Sequence, residues 1–113
     1  MVTKKFEYRR PRYRADVPIV VHISPQYSTC GRCRDVSAEG LGIRLVEQLP
    51  TGRIVTVEFT LEGCPVRASA RIEYRCDGNY YGLRFQFSSE QERCVVDRMI
   101  ESIQKIKKIK KIK

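Results

Sequence analysis

The sequence predicts an all-β domain: six short antiparallel strands closed into a barrel, followed by one C-terminal α-helix. Three observations predict it. Apolar residues recur at every second position through most of residues 17–87, the period of a half-buried strand. Clusters of Gly, Pro, Asn and Asp separate these runs. After Ser88-Ser89 the apolar spacing lengthens to that of a helix. At 113 residues the chain is one domain's worth.

The first run has Val17, Ile19, Val21 and Ile23 alternating with Pro18, Val20, His22 and Ser24, and ends at Ser24-Pro25. A short strand is expected over Cys33–Val36. Leu41, Ile43 and Leu45 form the third run. Pro50-Thr51-Gly52 precedes the fourth, in which Val55, Val57, Phe59 and Leu61 share a face. Gly63-Cys64-Pro65 turns the chain into the fifth, with Val66, Ala68, Ala70, Ile72 and Tyr74 in the core phase. Asp77-Gly78-Asn79 is a hairpin signal. Tyr81, Leu83, Phe85 and Phe87 complete the sixth. Six strands with one apolar face each bury that face and lose their open edges by closing.

Ser89 with Glu92 three residues on is a capping box. Val96, Met99, Ile100 and Ile103 then make one apolar stripe, suited to the barrel or to a second copy of the chain. Homodimerisation through this helix is therefore an expectation. In the tail from Ile103 to Lys113 the isoleucines recur every third residue. Each such step falls about 60° short of a full helical turn, so the tail reads as a fraying continuation of the helix. The expected organisation is a basic arm at 1–14, a barrel at 15–88, and the helix with its Lys/Ile tail at 89–113.

The net charge of +9 is unevenly placed. Residues 1–14 hold 6 Lys/Arg and 1 Glu, and residues 105–113 hold 6 lysines and no acid. The middle holds 10 Lys/Arg against 12 Asp/Glu, so the barrel itself is nearly neutral. A general nucleic-acid binder more often spreads charge over a folded face, and no specific nucleic acid is expected as a partner. The longest apolar stretch, Val17–Val21, is 5 residues, against the roughly 20 of a membrane-spanning helix. Met1–Glu7 lacks the apolar core of a secretory signal. The expectation is a cytoplasmic protein whose 5 cysteines are reduced.

Two segments carry chemistry. Tyr8-Arg9-Arg10-Pro11-Arg12-Tyr13-Arg14 packs four arginines and two tyrosines into seven residues. Pro11 disfavours helix there. Guanidinium groups form paired hydrogen bonds with phosphate oxygens or with the O6/N7 edge of guanine, and they stack on bases. Arg9, Arg10, Arg12 and Arg14 are thus candidates for a ligand combining phosphates with purines. A basic arm with no specific partner is the plainer reading of the segment alone. The second segment is Asp35-Val36-Ser37-Ala38-Glu39-Gly40. The Asp35 carboxylate can accept from the ring N–H and amine of guanine. Ser37 offers a hydroxyl, and Gly40 permits a positive φ or close backbone approach. A simple strand-to-strand turn is the plainer alternative.

Together, Arg10…Arg14 and Asp35…Ser37…Gly40 resemble the PilZ domain family, which is marked by Arg-x-x-x-Arg and a downstream Asp/Asn-x-Ser-x-x-Gly. Gly40-Leu41-Gly42-Ile43, Leu49-Pro50-Thr51-Gly52 and Tyr81-Gly82-Leu83-Arg84-Phe85 are similar to later parts of the family pattern, over roughly residues 8–103. Arg12 also follows a proline, the local context of the second arginine in many members, so two registers of the arm are open. The resemblance implies a barrel that binds cyclic di-GMP as ligand, with no cofactor and no catalysis, and signals to a downstream protein partner. The arginines would grip phosphates and guanine faces, while Asp35, Ser37 and Gly40 would line the other guanine-reading side. Two alternatives remain: a PilZ-like adaptor in pilus or flagellar control that binds no nucleotide, and a small basic barrel for single-stranded nucleic acid. The last would need outward aromatic rows, whereas Tyr81, Phe85 and Phe87 sit in the core phase.

The remaining residues read more plainly. Cys30-Gly31-Arg32-Cys33 is a lone C-x-x-C with no second pair at zinc spacing. His22 is the single histidine, on the polar phase of its strand, and no nucleophile–base pair is readable.

Overall fold

A computed structural model describes residues 11–112, with side chains described as far as Ile106. The strands are β1 (Tyr13–Ser24), β2 (Tyr27–Val36), β3 (Gly40–Leu45), β4 (Ile54–Leu61), β5 (Cys64–Cys76) and β6 (Tyr80–Phe85), followed by the helix α1 (Glu90–Ile112). They form a closed antiparallel barrel in the order β1-β2-β3-β6-β5-β4, which the β1–β4 pair seals.

Alternation builds the core as expected. Ile19, Val21, Leu41, Ile43, Val57, Ala68, Ala70, Ile72, Tyr81 and Leu83 point inward and are buried. The Tyr81 hydroxyl donates to the Glu47 carbonyl at 3.1 Å and accepts from the Leu49 N–H at 2.9 Å, so its polar tip is satisfied inside. The β4–β5 hairpin turns on Glu62 and Gly63, with φ of 51° and 77°, the left-handed pair that a two-residue hairpin requires.

β2 is longer than the expected Cys33–Val36. Its earlier inward positions include Thr29 and Gly31 rather than large apolar residues, so no alternation marks it. A side chain at Gly31 would strike the Arg44 carbonyl and Leu45 on β3. β1 begins at Tyr13, pairing Tyr13 with Val36 and Arg14 with Asp35. Two residues assigned to the basic arm are thus strand.

Tyr74 departs from its expected core phase. A register shift between Ile72 and Tyr74 leaves Glu73 unpaired, and this bulge turns Tyr74 outward, where it is 47% exposed. A second shift, between Cys33 and Asp35, does the same on β2. Cys33 faces the core, while Asp35 faces out with a 23% exposed side chain.

The helix stripe of Val96, Met99, Ile100 and Ile103 is buried, and α1 lies against β5. The barrel itself therefore covers the face that a second copy could have used. The capping box forms in part. The Glu92 N–H donates to Ser89 Oγ at 3.3 Å, but the Glu92 carboxylate accepts from Ser88 N–H at 2.9 Å and Ser69 N–H at 3.1 Å. That carboxylate ties the helix start to β5 instead of closing the box on Ser89.

Candidate functional site

The two bulges and the strand register assemble one outward row. Arg14 on β1 lies opposite Asp35 on β2, Asp35 opposite Gly42 on β3, Gly42 opposite Gly82 on β6, and Gly82 opposite Tyr74 on β5. The two glycines are required by close approach. A side chain at Gly42 would meet the Tyr80 hydroxyl and Asp35, and one at Gly82 would meet the Tyr74 ring. The glycines form a floor, and the tyrosines lie across it.

Asp35 is the hub of this surface. Arg12 Nε donates to Asp35 Oδ1 at 3.0 Å, and Arg12 Nη2 also bonds that oxygen. The Tyr80 hydroxyl donates to Asp35 Oδ2 at 2.5 Å. Burial acts to lower the Arg12 pKa, but the hydrogen bond and charge of Asp35 outweigh it and raise it. Partial burial, and then the bond to Asp35, push the Tyr80 phenol up to about 12, so at neutral pH it is a donor. Around the hub runs a cleft of about 580 Å³ lined by Arg12, Tyr13, Arg14, Ala15, Asp16, Arg34, Asp35, Arg44 and Tyr80.

The structure thus brings Arg12, Arg14 and Asp35 together. Arg9 and Arg10 lie outside the described residues. Ser37 does not face the cleft; it is 2% exposed. Its Oγ accepts from the Glu39 and Gly40 N–H groups, each at 3.2 Å, and its own N–H donates to the Gly40 carbonyl at 2.8 Å. It builds the turn that carries Asp35 and leaves no free hydroxyl for a ligand. Gly40 is needed for close approach: a side chain there would strike the Leu83 carbonyl. Its φ is not in the left-handed region.

Arg34, Arg44, Tyr80 and Tyr74 were not among the sequence-derived candidates. For Arg44 and Tyr80 a signal existed, since each is the outward neighbour of a core residue, Ile43 and Tyr81. Arg34 and Tyr74 depend on bulges, which leave no mark in composition.

Elsewhere, Cys30 is exposed and Cys33 buried. Burial pushes the Cys33 thiol up to about 12, which makes it a poor nucleophile and metal ligand. Among the described residues no group of three His, Cys, Asp or Glu could hold a metal ion. His22 bonds Glu58 at 2.6 Å on the outer wall. No described helix is long and apolar enough to cross a membrane.

Fold and surface define a class: a small closed antiparallel barrel with a cationic cleft on its outer wall, packed against one terminal helix. The family model of the PilZ domain matches residues 7–102, and the chain belongs to that family. Solved structures agree in fold. The PilZ domain of CeSA from a cellulose-synthesizing bacterium matches with a TM-score of 0.69 and 20% identity, over 83% of this chain and 98% of that one. The PilZ domain of YcgR from Escherichia coli, solved with c-di-GMP, matches at 0.68 and 18%, over 93% and 97%. The K. pneumonia MrkH–c-di-GMP complex matches at 0.67 and 14%, over 93% of this chain but 54% of MrkH. No curated protein sequence matches the chain.

Proposed function

We propose that this protein is a cyclic di-GMP receptor without catalytic activity. The observation that carries the reading is the convergence of Arg12, Arg14 and Asp35 on one outward cleft. Two phosphodiesters and two guanines need cations and a carboxylate within the same span. Guanidinium groups supply the first through charge-assisted hydrogen bonds, and Asp35 accepts from the guanine N1–H and N2 amine. Tyr80 and Tyr74 offer flat faces beside the glycine floor. Ser37 and Gly40 act by holding the turn. Membership of the PilZ family, and the two neighbours described as c-di-GMP complexes, support the same ligand.

Ligand binding changes the surface offered to a downstream protein partner. Titration calorimetry with cyclic di-GMP tests the ligand. Arg14→Ala and Asp35→Asn should each weaken binding by roughly tenfold or more. A folded wild-type protein that releases no heat and shifts no melting temperature with the dinucleotide would reject the reading and favour the non-binding adaptor.

A further inference from the structure

Four guanidinium groups line the cleft, but the sequence motifs account for only two of them. Arg34 is the residue set out of register by the β2 bulge, so it and Asp35 lie side by side on the outer wall. Arg44 projects from β3, one outward position beyond Gly42. It lies opposite Arg32 in the β2–β3 register, a like-charge pairing that is unfavourable by itself. Arg32 is neutralised by Asp16, through Nε to Oδ1 at 3.0 Å and Nη2 to the Asp16 carbonyl at 2.9 Å. Arg44 has no such relief. Among the described residues neither Arg34, Arg44 nor Arg14 has an ion-pair partner within 4.0 Å. Asp35, the acid at the centre of the cleft, is already held by Arg12 and Tyr80.

We propose that Arg34 and Arg44 form a second phosphate clamp on the β2–β3 side of the cleft. It rests on the cyclic di-GMP reading and adds a role for residues outside both family motifs. Arg12 and Arg14 approach Asp35 from the β1 side, so the four cations flank the carboxylate from two directions. A cyclic dinucleotide carries its phosphodiesters on opposite sides of one macrocycle. One is taken by the β1-side arginines, the other by Arg34 and Arg44, with a guanine edge reaching Asp35 between them. The second clamp also sets ligand class: a nucleotide with a single phosphate cannot engage both sides.

The test is titration of the full chain with cyclic di-GMP and, in parallel, with cyclic GMP. The variants are Arg34→Gln, Arg44→Gln, the double variant, and Arg53→Gln as a charge control outside the cleft. All three positions are exposed, and circular dichroism verifies the fold of each variant. Each cleft substitution should weaken cyclic di-GMP about tenfold and the double about a hundredfold, since each removes charge-assisted bonds to phosphate. Arg53→Gln should leave affinity within about twofold, as expected for a screened charge. The double variant should also bind cyclic di-GMP no better than cyclic GMP. If wild type and double variant bind cyclic di-GMP equally while Arg14→Ala does not, the second clamp is wrong and the receptor reading stands. Equal losses in Arg53→Gln and the cleft variants would reduce the effect to net charge and overturn the clamp. A wild type that binds neither nucleotide overturns both.

Discussion

At the scale of single residues, the proposed site separates side chains open to the cleft from those that position them. Ser37 belongs to the second kind. Its hydroxyl is the acceptor for two backbone N–H groups in a buried turn. Ser37→Ala strands those donors, at a cost of about 1–3 kcal/mol, and should lower the urea midpoint. Any loss of cyclic di-GMP affinity should therefore arrive together with lost stability. Arg14→Ala, at an exposed position, should weaken binding with the urea midpoint unchanged. Gly42→Ala is a complementary case. The added methyl meets the Tyr80 hydroxyl and the Asp35 carboxylate, so the Tyr80–Asp35 bond must break or shift. The expected outcome is a protein that folds with little loss of melting temperature but binds cyclic di-GMP at least tenfold more weakly.

At the scale of elements, legibility followed the side chains that face inward. β3, β4 and most of β5 and β6 were readable because large apolar residues fill every second position. The first half of β2 was not, because Thr29 and Gly31 occupy those positions against the crowded backbone of β3. Tyr74 was assigned to the wrong face because a bulge adds a residue without changing the residue types around it. The arginine and Asp-x-Ser segments were legible as motifs, yet Arg34, Arg44 and Tyr80 join them only through strand register. The start of α1 was legible as a cap, but its glutamate bonds a neighbouring strand. Burial acts to raise the Glu92 pKa; hydrogen bonds from Ser88 and Ser69 outweigh it, and the net shift is downward. A folded-state pKa below the unfolded one stabilises the protein above the ordinary glutamate range. That contribution is lost as pH falls through the folded value. Urea denaturation of wild type and Glu92→Gln across pH 7 to 3 should show a gap that is widest near neutrality and closes in acid.

At the scale of the whole molecule, the fully buried core starts later in the chain than the first strand. The buried core among the described residues begins at Ile19, and the first strand pairing begins at Tyr13. Deleting residues 1–11 should keep the melting temperature within about 4 °C, while removing Arg9 and Arg10 and weakening cyclic di-GMP binding. Parallel thermal melts and titrations of the truncated and full chains measure the two effects independently. The helix is not isolated from this region, since Gln104 Nε2 donates to the Tyr13 hydroxyl at 3.1 Å. A displacement of the first strand residue beside the cleft would reach α1 directly.

The contacts of Asp35 have a consequence for discrimination. With Arg12 on one oxygen and Tyr80 on the other, Asp35 is already satisfied in the resting protein. Inorganic phosphate can attract Arg12 only by depriving Asp35 of its cation, so the exchange gains little. An adenine presents a ring nitrogen lone pair where guanine presents N1–H, and it offers the carboxylate no second donor. Entry therefore favours a visitor that supplies an anion for the guanidinium and two donors for the carboxylate at once. On the proposed reading, adenine nucleotides are thereby disfavoured at Asp35 without any steric gate.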